Sequence, residues 1–213
     1  MPFLSLASAL AAIRSGGVVV YPTETFYAVG CDAFAAPAVA AIYRIKGRDP
    51  AKALPLVLGG RDQLGLVAAS LPPGLDRLAD HFWPGPLTVL CDAVAGLADG
   101  VAGPDRRVAV RVTSHPLAAR LCREGGTALV ATSANRSGQP AVAAPGEVAA
   151  AVVSATAGIL ADEPWPGGGA PSTLVACCGE RAVRVLRCGA VSVAALRAAG
   201  FGVEVDAGAG VKI

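Results

Sequence analysis

The sequence predicts an α/β (α+β) fold, a twisted mixed β-sheet flanked by helices. Short β-branched runs such as 18–21 and 108–112 are typical of buried strands, and amphipathic segments such as 37–46 are typical of helices. The two kinds of segment mix without strict alternation, which disfavours a doubly wound parallel sheet. With 213 residues, 54% of them hydrophobic and 16% charged, the composition is that of one globular domain.

The elements follow in chain order from periodicity and from the residues that start and stop them. A first helix is predicted over 4–14, with Ser5 as N-cap and Gly16 as its stop. The other predicted helices are 37–46, with a proline in its first turn, 61–69, 73–82, 115–123, 147–153 and 192–199. The predicted strands are 18–21, 54–58, 87–91, 108–112, 128–132, 158–161, 174–178 and 182–187.

Two proline-rich stretches punctuate this pattern. The sequence WPGP at 83–86 forces a break, because each proline fixes φ and removes a backbone donor. The sequence PWPGGGAP at 164–171 is too rich in Pro and Gly for regular structure and is predicted to be a mobile loop.

Charge and hydropathy exclude several functional classes. A net charge of +2 is too small to indicate nucleic-acid binding by itself. No apolar stretch approaches the roughly 20 residues that a membrane span needs, so no membrane partner is expected. The N-terminus lacks a basic segment followed by an apolar core, so we expect no signal peptide and a cytoplasmic protein.

The six cysteines are scattered, and most of them lie in apolar, strand-like runs. There is no C-x-x-C pair, and His81 and His115 lack metal-ligand spacing to any cysteine. The cysteines are therefore predicted to be small buried hydrophobic residues, and neither a protein-held metal site nor a disulfide framework is expected.

No G-x-S-x-G elbow or phosphate-binding P-loop occurs, but polar side chains gather at the predicted strand ends, where open α/β folds bind ligands. The first group is Thr23, Glu24, Thr25 and Tyr27, directly after the strand at 18–21. These side chains either contact an amino acid's charged groups or satisfy the backbone of their own turn.

Two basic groups follow. Lys46 and Arg48, with Lys52 nearby, either pair with phosphates or complement the dipole at a helix C-terminus. Arg111 lies within an apolar strand, where a charge needs an anionic partner, either a structural carboxylate or a substrate carboxylate. His115, which precedes a proline, is more typical of a helix cap than of a catalytic residue.

Two hydroxyl-rich groups complete the set. Ser133 and Asn135 follow the strand at 128–132. Ser172 and Thr173 precede the strand at 174–178, and they are grouped with Arg187, which ends the next strand, at 182–187. Each group alone is also consistent with an ordinary polar turn, whereas several such groups in one chain favour a binding site.

Taken in order, these stretches resemble the YrdC domain family of threonylcarbamoyl-AMP synthases. The matching stretches are YPTETFYAVGCDAF, IYRIKGR, WPGPLTVL, VAVRVTSHP, ATSANRSG, PSTLV and VLRCG, which cover 18–189. The family's paired K-x-R and S-x-N signature is present as Lys46/Arg48 and Ser133/Asn135. The resemblance implies a single YrdC-like domain over 1–213, with a C-terminal helix and tail over 190–213 and a concave basic ligand-binding face.

The resemblance also implies a reaction. L-threonine, bicarbonate or CO2, and ATP would give L-threonylcarbamoyladenylate and pyrophosphate. The product would supply a threonylcarbamoyl-transferase complex that modifies tRNA, and some relatives are linked to double-stranded RNA. Mg²⁺ would accompany ATP, held mainly by phosphates and water.

The resemblance assigns roles to individual residues. Lys46 and Arg48 would be catalytic residues that neutralise phosphates, and Arg111 would pair with the threonine carboxylate. The residues that the resemblance implies for contact with threonine or its carbamate are Thr23, Thr25, Tyr27, Arg111, Ser133 and Ser172. The residues that it implies for contact with the nucleotide are Lys46, Arg48, Asn135 and Arg187.

Two departures and two alternatives stay open. The family usually reads Y-G-L-G where this chain has Ala28, and it usually has proline directly after K-x-R, where this chain has Asp49. One alternative is a double-stranded RNA or tRNA-binding module, although +2 is a low charge for it. The other is a carbamoyl-adenylate-forming relative of the kind found inside larger carbamoyltransferases; the sequence ends at Ile213 without a transferase domain, which argues against this alternative. The oligomeric state, and whether Ser172 or Thr173 faces the ligand, also stay open.

Overall fold

The computed structural model describes residues 2–208. Its first third contains β1 (Phe3–Leu4), α1 (Leu6–Arg14), β2 (Val19–Pro22), β3 (Tyr27–Gly30), α2 (Ala36–Lys46) and β4 (Leu56–Leu58). The hydroxyl of Ser5 accepts a hydrogen bond from the Ser8 backbone N–H, so the predicted N-cap is confirmed. Helix α2 ends at Gly47, whose φ of 56° is in the left-handed region that favours glycine.

The middle of the chain begins with a 3-10 helix, Arg61–Leu66. It continues with β5 (Ala68–Ser70), α3 (Leu75–Phe82), β6 (Leu87–Ala93), β7 (Arg107–Val112), α4 (Pro116–Gly125), β8 (Leu129–Val130) and β9 (Thr132–Ser133). After a second 3-10 helix, Pro145–Glu147, the last third contains α5 (Ala150–Ser154), β10 (Ile159–Leu160), β11 (Thr173–Gly179), β12 (Ala182–Arg187), α6 (Val193–Ala198) and β13 (Gly202–Val205).

The strands form two mixed sheets. The first has the order β1-β10-β2-β3-β9, and the second has the order β13-β12-β11-β6-β7-β4-β8, with β5 paired to β6. Both contain parallel and antiparallel pairs, so the mixed α/β fold predicted from the sequence is confirmed. The sheets meet beyond β3, where the Val130 N–H donates to the Cys31 carbonyl over 2.9 Å.

Several elements differ from the prediction, and the short strands β1 and β3 were not predicted. The predicted helix over 61–69 is a 3-10 helix followed by β5. The predicted strand over 128–132 is two short strands, because Leu129 pairs with β4 of one sheet and Thr132 pairs with β3 of the other. Strand β13 was not predicted, since it is a short edge strand that depends on parallel pairing with β12.

Two hydrophobic clusters form the core. The larger includes Leu56, Val89 and Val110 from the second sheet, and the smaller packs α1 and α4 against the first sheet. Ala28 belongs to the smaller cluster and lies in β3, opposite Tyr21 and Ser133. The position is therefore extended backbone, where alanine is as suitable as the family glycine.

Gly30, two residues further on, is constrained by its surroundings. A Cβ there would overlap the carbonyl oxygen of Val130 and lie 2.7 Å from the Tyr21 ring. Of the two glycine positions in the Y-G-L-G stretch, the fold thus requires glycine at 30 and accepts alanine at 28.

Cys31, Cys91 and Cys122 are buried, as predicted. The prediction is wrong for Cys178, which is exposed on β11, and Cys177 and Cys188 are half-buried. Within residues 2–208, no helix is long and apolar enough to cross a membrane.

Candidate active site

The turn between β2 and β3 contains the first predicted group. The Thr23 hydroxyl donates to the Phe26 carbonyl over 2.7 Å, and the Thr23 backbone N–H donates to the same oxygen over 3.2 Å. Thr23 is buried by this arrangement. Of the two alternatives for this group, Thr23 therefore shows the second: its hydroxyl and its N–H satisfy the backbone of its own turn.

Glu24 of the same turn reaches across to β7. Its Oε1 accepts from Arg111 Nε over 2.8 Å, and its Oε2 accepts from Thr113 Oγ1 over 2.6 Å. The two ion-paired side chains are only 10% and 5% exposed for Glu24 and Arg111. Burial by itself raises the pKa of Glu24, but Arg111 and Thr113 outweigh it and hold the pKa below its usual range, so Glu24 is anionic.

The Glu24–Arg111 pair answers in part whether the anion beside Arg111 is a structural carboxylate or a substrate carboxylate. The buried guanidinium has a structural carboxylate as partner, and that partner uses only Nε. Over the described part of the chain, the terminal nitrogens of Arg111 donate no hydrogen bond. The planar guanidinium thus has two further donors that are suited to a second carboxylate.

Lys46 ends α2 and is only 3% exposed. Its ammonium group donates to the Ser133 carbonyl, to the Asn135 carbonyl over 2.6 Å and to Asn135 Oδ1 over 3.2 Å. Burial, and secondarily the charge of Arg48, lowers the pKa of Lys46 to about 8. Lys46 therefore fixes the Ser133–Asn135 turn, which places the two halves of the family signature in direct contact.

Arg48 is held by a turn that Asp49 builds. Asp49 Oδ1 accepts from the Ala51 N–H and its carbonyl accepts from the Lys52 N–H, both over 3.0 Å. The turn directs the carbonyls of Lys52 and Ala53 at Arg48, which donates to each of them over 2.9 Å. Asp49, a departure from the family pattern, is thus accommodated in an ordered turn.

Ser172, rather than Thr173, lies beside the cationic group. Arg187 Nη2 donates to the Ser172 hydroxyl over 3.0 Å and to its carbonyl over 2.8 Å, and Thr88 Oγ1 donates to the same hydroxyl over 2.9 Å. The Thr173 hydroxyl instead bonds the backbone of Val191. Thr173 therefore has a structural role.

The charges of four cationic side chains act on one another within one region of the structure. These side chains are Lys46, Arg48, Arg111 and Arg187. Burial, followed by the charges of Arg111 and Arg48, lowers the pKa of Arg187, and Arg48 also lowers that of Lys46. Among residues 2–208, Arg111 is the only one of the four that forms an ion pair. Because buried charge is costly unless it is paired, this region favours an anionic ligand.

Thr25 and Tyr27 lie at the same turn. Both are buried, and the Tyr27 hydroxyl has no hydrogen-bond partner among the residues that the structure describes. Burial, and secondarily Asp162, raises the pKa of Tyr27 to about 12, so the hydroxyl stays protonated. The phenol is thus a protonated donor that no described residue accepts from.

The 164–171 segment crosses this turn. The Gly168 N–H donates to the Thr25 carbonyl over 2.8 Å, and the Gly167 N–H donates to the Glu24 carbonyl over 3.3 Å. The segment is irregular, as predicted. His115 stands at the N-cap position of α4, yet its side chain caps nothing, and its Nε2 lies 2.8 Å from the Pro164 carbonyl oxygen. The predicted capping role of the side chain is wrong.

No metal-ligand cluster is present within 2–208, where no three or more His, Cys, Asp or Glu side chains are grouped closely enough to hold an ion. Glu24, the carboxylate that is ion-paired with Arg111, also accepts from Thr113.

The Sua5/YciO/YrdC family model, described as "Telomere recombination", matches residues 11–189. The chain belongs to this family. One relative, the threonylcarbamoyl-AMP synthase of Chromohalobacter salexigens, is 40% identical over 174 residues, which cover 79% of this chain and 90% of the relative. Another, from Alkalilimnicola ehrlichii, is 42% identical over 139 residues, covering 65% and 72%. The family predicted from the sequence is confirmed.

Solved structures of the Sua5/YciO/YrdC family have the same fold. P. abyssi Sua5, crystallised with L-threonine, matches with a TM-score of 0.87 at 27% identity over 96% of this chain. The chain spans 61% of the length of that Sua5. E. coli YciO matches with a TM-score of 0.75 at 21% identity over 90% of this chain and 92% of its own.

Sequence reasoning did not select two polar residues of this site, Thr113 and Thr88, or the contact between His115 and Pro164. Thr113 had a usable signal, since residues two apart on a strand face the same side and Thr113 follows Arg111 by two. Thr88 had none, because a threonine inside a strand is ordinary. The partner of His115 also had none, because Pro164 belongs to an irregular segment 49 residues away.

Proposed function

We propose that the chain is a threonylcarbamoyl-AMP synthase that makes L-threonylcarbamoyladenylate and pyrophosphate from L-threonine, bicarbonate or CO2, and ATP. The observation that carries this proposal is the cluster of Lys46, Arg48, Arg111 and Arg187, in which, among residues 2–208, only Arg111 forms an ion pair with a carboxylate, Glu24. The curated relatives with this name and the likeness to Sua5 crystallised with L-threonine support it.

The reaction needs neutralised charge more than a protein nucleophile. The threonine amine adds to CO2 and loses a proton to give a carbamate. A carbamate oxygen then attacks the α-phosphorus of ATP, and the bond from that phosphorus to the pyrophosphate oxygen breaks. Negative charge accumulates on the departing pyrophosphate, so positioned cations supply most of the catalysis. Arg48 and Arg187, which form no ion pair with a carboxylate among residues 2–208, are suited to this role, with Lys46 adding its positive charge nearby.

Threonine would bind on the Arg111 side. Glu24 holds Arg111 by Nε and fixes the guanidinium plane, so the two terminal nitrogens can form a bidentate pair with the threonine carboxylate. The Tyr27 hydroxyl is a donor without a protein partner on this side, and the Ser172 hydroxyl lies between Thr88 and Arg187. Thr25 and Ser133 complete the proposed threonine and carbamate contacts, and Asn135 lies on the nucleotide side. Thr23 would contribute through the turn it stabilises.

Mg²⁺ would arrive with ATP. The site offers cations and one committed carboxylate, which fits an ion held by phosphate oxygens and water rather than by the protein. The ion would supply additional charge neutralisation on the polyphosphate. In the cytoplasm, the product would pass to a threonylcarbamoyl-transferase complex that acts on tRNA.

The direct test is incubation of the purified protein with ATP, Mg²⁺, bicarbonate and labelled threonine. We expect pyrophosphate release that requires both threonine and bicarbonate, together with a labelled adenylate. Release that is independent of threonine, or no adenylate from folded protein, would overturn the proposal.

The threonine assignment has its own test. Arg111→Lys keeps the positive charge beside Glu24 and removes the bidentate fork, so we expect the threonine KM to rise about tenfold or more, with ATP affinity within about twofold of wild type. Arg184→Lys, at an exposed ion pair on β12, is the matched control. Equal weakening of both ligands would contradict the assignment.

A further inference from the structure

His115 is buried at the start of α4, with 4% of its surface exposed. A carbonyl oxygen can only accept a hydrogen bond, so the contact of Nε2 with the Pro164 oxygen over 2.8 Å requires the proton on Nε2. Nδ1 then carries a lone pair, and this atom is buried without a partner in the described part of the chain. The imidazole is thus a neutral donor that is aimed at the 164–171 segment.

His115 also connects this segment to the Glu24–Arg111 pair. Its backbone N–H donates to Thr113 Oγ1 over 3.1 Å, and that hydroxyl donates to Glu24 Oε2 over 2.6 Å. The 164–171 segment in turn bonds the backbone of Glu24 and Thr25 through Gly167 and Gly168. Fixing the segment at Pro164 therefore also supports the turn that orients Arg111.

The segment leads directly to Ser172, whose hydroxyl and carbonyl hold Arg187. Pro166 within it is buried, and Trp165 beside it is 48% exposed. The segment thus joins the threonine side of the site to the cationic side. Two side-chain hydrogen bonds hold its beginning: His115 contacts the Pro164 carbonyl, and Trp165 Nε1 donates to the Ala161 carbonyl over 3.0 Å.

We propose that His115 is a positioning residue: by donating from Nε2 to Pro164, it holds the 164–171 segment over the turn that carries Glu24 and Thr25. A role as proton acceptor is disfavoured, because Nδ1, the only free ring nitrogen, is sealed from solvent. Burial lowers the pKa of His115, which keeps the ring in the neutral form that this contact uses. The effect on threonine binding rests on the function proposed above, whereas the hold on the segment does not.

Two amide variants separate positioning from other roles. In His115→Gln, the side-chain amide nitrogen can reach the place of Nε2 and donate to Pro164, whereas His115→Asn is shorter by one methylene and cannot. We expect Asn to raise the threonine KM about tenfold with kcat within about twofold, the size expected for one lost buried hydrogen bond. We expect Gln to restore most of the KM.

Trp165 gives a readout that does not depend on activity. The chain has two tryptophans, and the other, Trp83, is buried. In a Trp83→Phe background, acrylamide quenching of Trp165 should increase in His115→Asn and return to the parent value in His115→Gln. If Gln is as impaired as Asn in both readouts, or if Asn changes neither, the positioning role is wrong. If the parent protein makes no adenylate, the proposed function fails while the quenching test still decides the hold on the segment.

Discussion

ATP binding is expected to draw a proton from solution near pH 8, because Lys46 is buried and, in the part of the chain that the structure describes, forms no ion pair. Burial and Arg48 lower the pKa of Lys46 from 10.5 to about 8. A polyphosphate in the site would stabilise the charged ammonium and return the pKa toward its ordinary value. At pH 8, about half of the unliganded molecules carry a neutral Lys46, so each ATP bound should take up about half a proton. At pH 6.5, uptake should fall to about 0.03.

Calorimetric titration in two buffers of different ionisation enthalpy measures this uptake directly. Lys46→Arg is the matched control, because arginine keeps the positive charge and does not titrate in this range. Protons exchanged by ATP itself are common to both proteins and cancel in the comparison. Equal uptake by wild type and Lys46→Arg, or uptake that does not change between pH 6.5 and 8, would refute the reasoning.

Three further predictions follow from the same contacts. Without ligand, Lys46 is protonated in the unfolded chain and neutral in the folded one between pH 8 and 10.5, so it contributes a rise of about 3 kcal/mol in unfolding free energy over that window; in urea unfolding, wild type should gain this amount relative to Lys46→Met. Thr173→Val should lower the free energy of unfolding by about 1–2 kcal/mol without changing the substrate KM values, whereas Ser172→Ala should raise KM. An increase in KM for Thr173→Val would contradict the structural role of Thr173. Ala28→Gly should cost about 0.5–1 kcal/mol in urea unfolding, and a gain in stability would show that the strand conformation at Ala28 is strained.

Local signals made most helices predictable. Ser5, Gly47 and Gly126 each mark a helix end through their own side chain or backbone, and in all three cases the helix starts or stops there. The failures were non-local. The run over 128–132 has the composition of one strand, but its two halves pair with different sheets. Strand β13 exists only through its pairing with β12.

At the site, too, local chemistry could be predicted from the sequence and non-local contacts could not. Sequence reasoning predicted that Arg111 needs an anion, and the fold supplies Glu24 from 87 residues away. It predicted Lys46 beside phosphates, and the fold uses the three donors of Lys46 to hold Ser133 and Asn135. Residue type and order reveal the chemistry that a site can perform. Which donors are already occupied depends on three-dimensional contacts, and so it could not be predicted.

The charge balance explains how a nearly neutral chain can attract a polyanion. The chain has 18 Lys and Arg against 16 Asp and Glu. Once Lys46, Arg48, Arg111, Arg187 and Glu24 are set aside, acidic residues outnumber basic ones by one among the rest of the sequence. The positive excess is therefore concentrated in the site, where burial reduces screening and strengthens its field. Net charge alone suggested no polyanionic partner because it averages this local concentration over the whole chain. A compact triphosphate, which needs several cations within a few ångströms, suits such a distribution better than an extended phosphate backbone, which needs them spread over a surface.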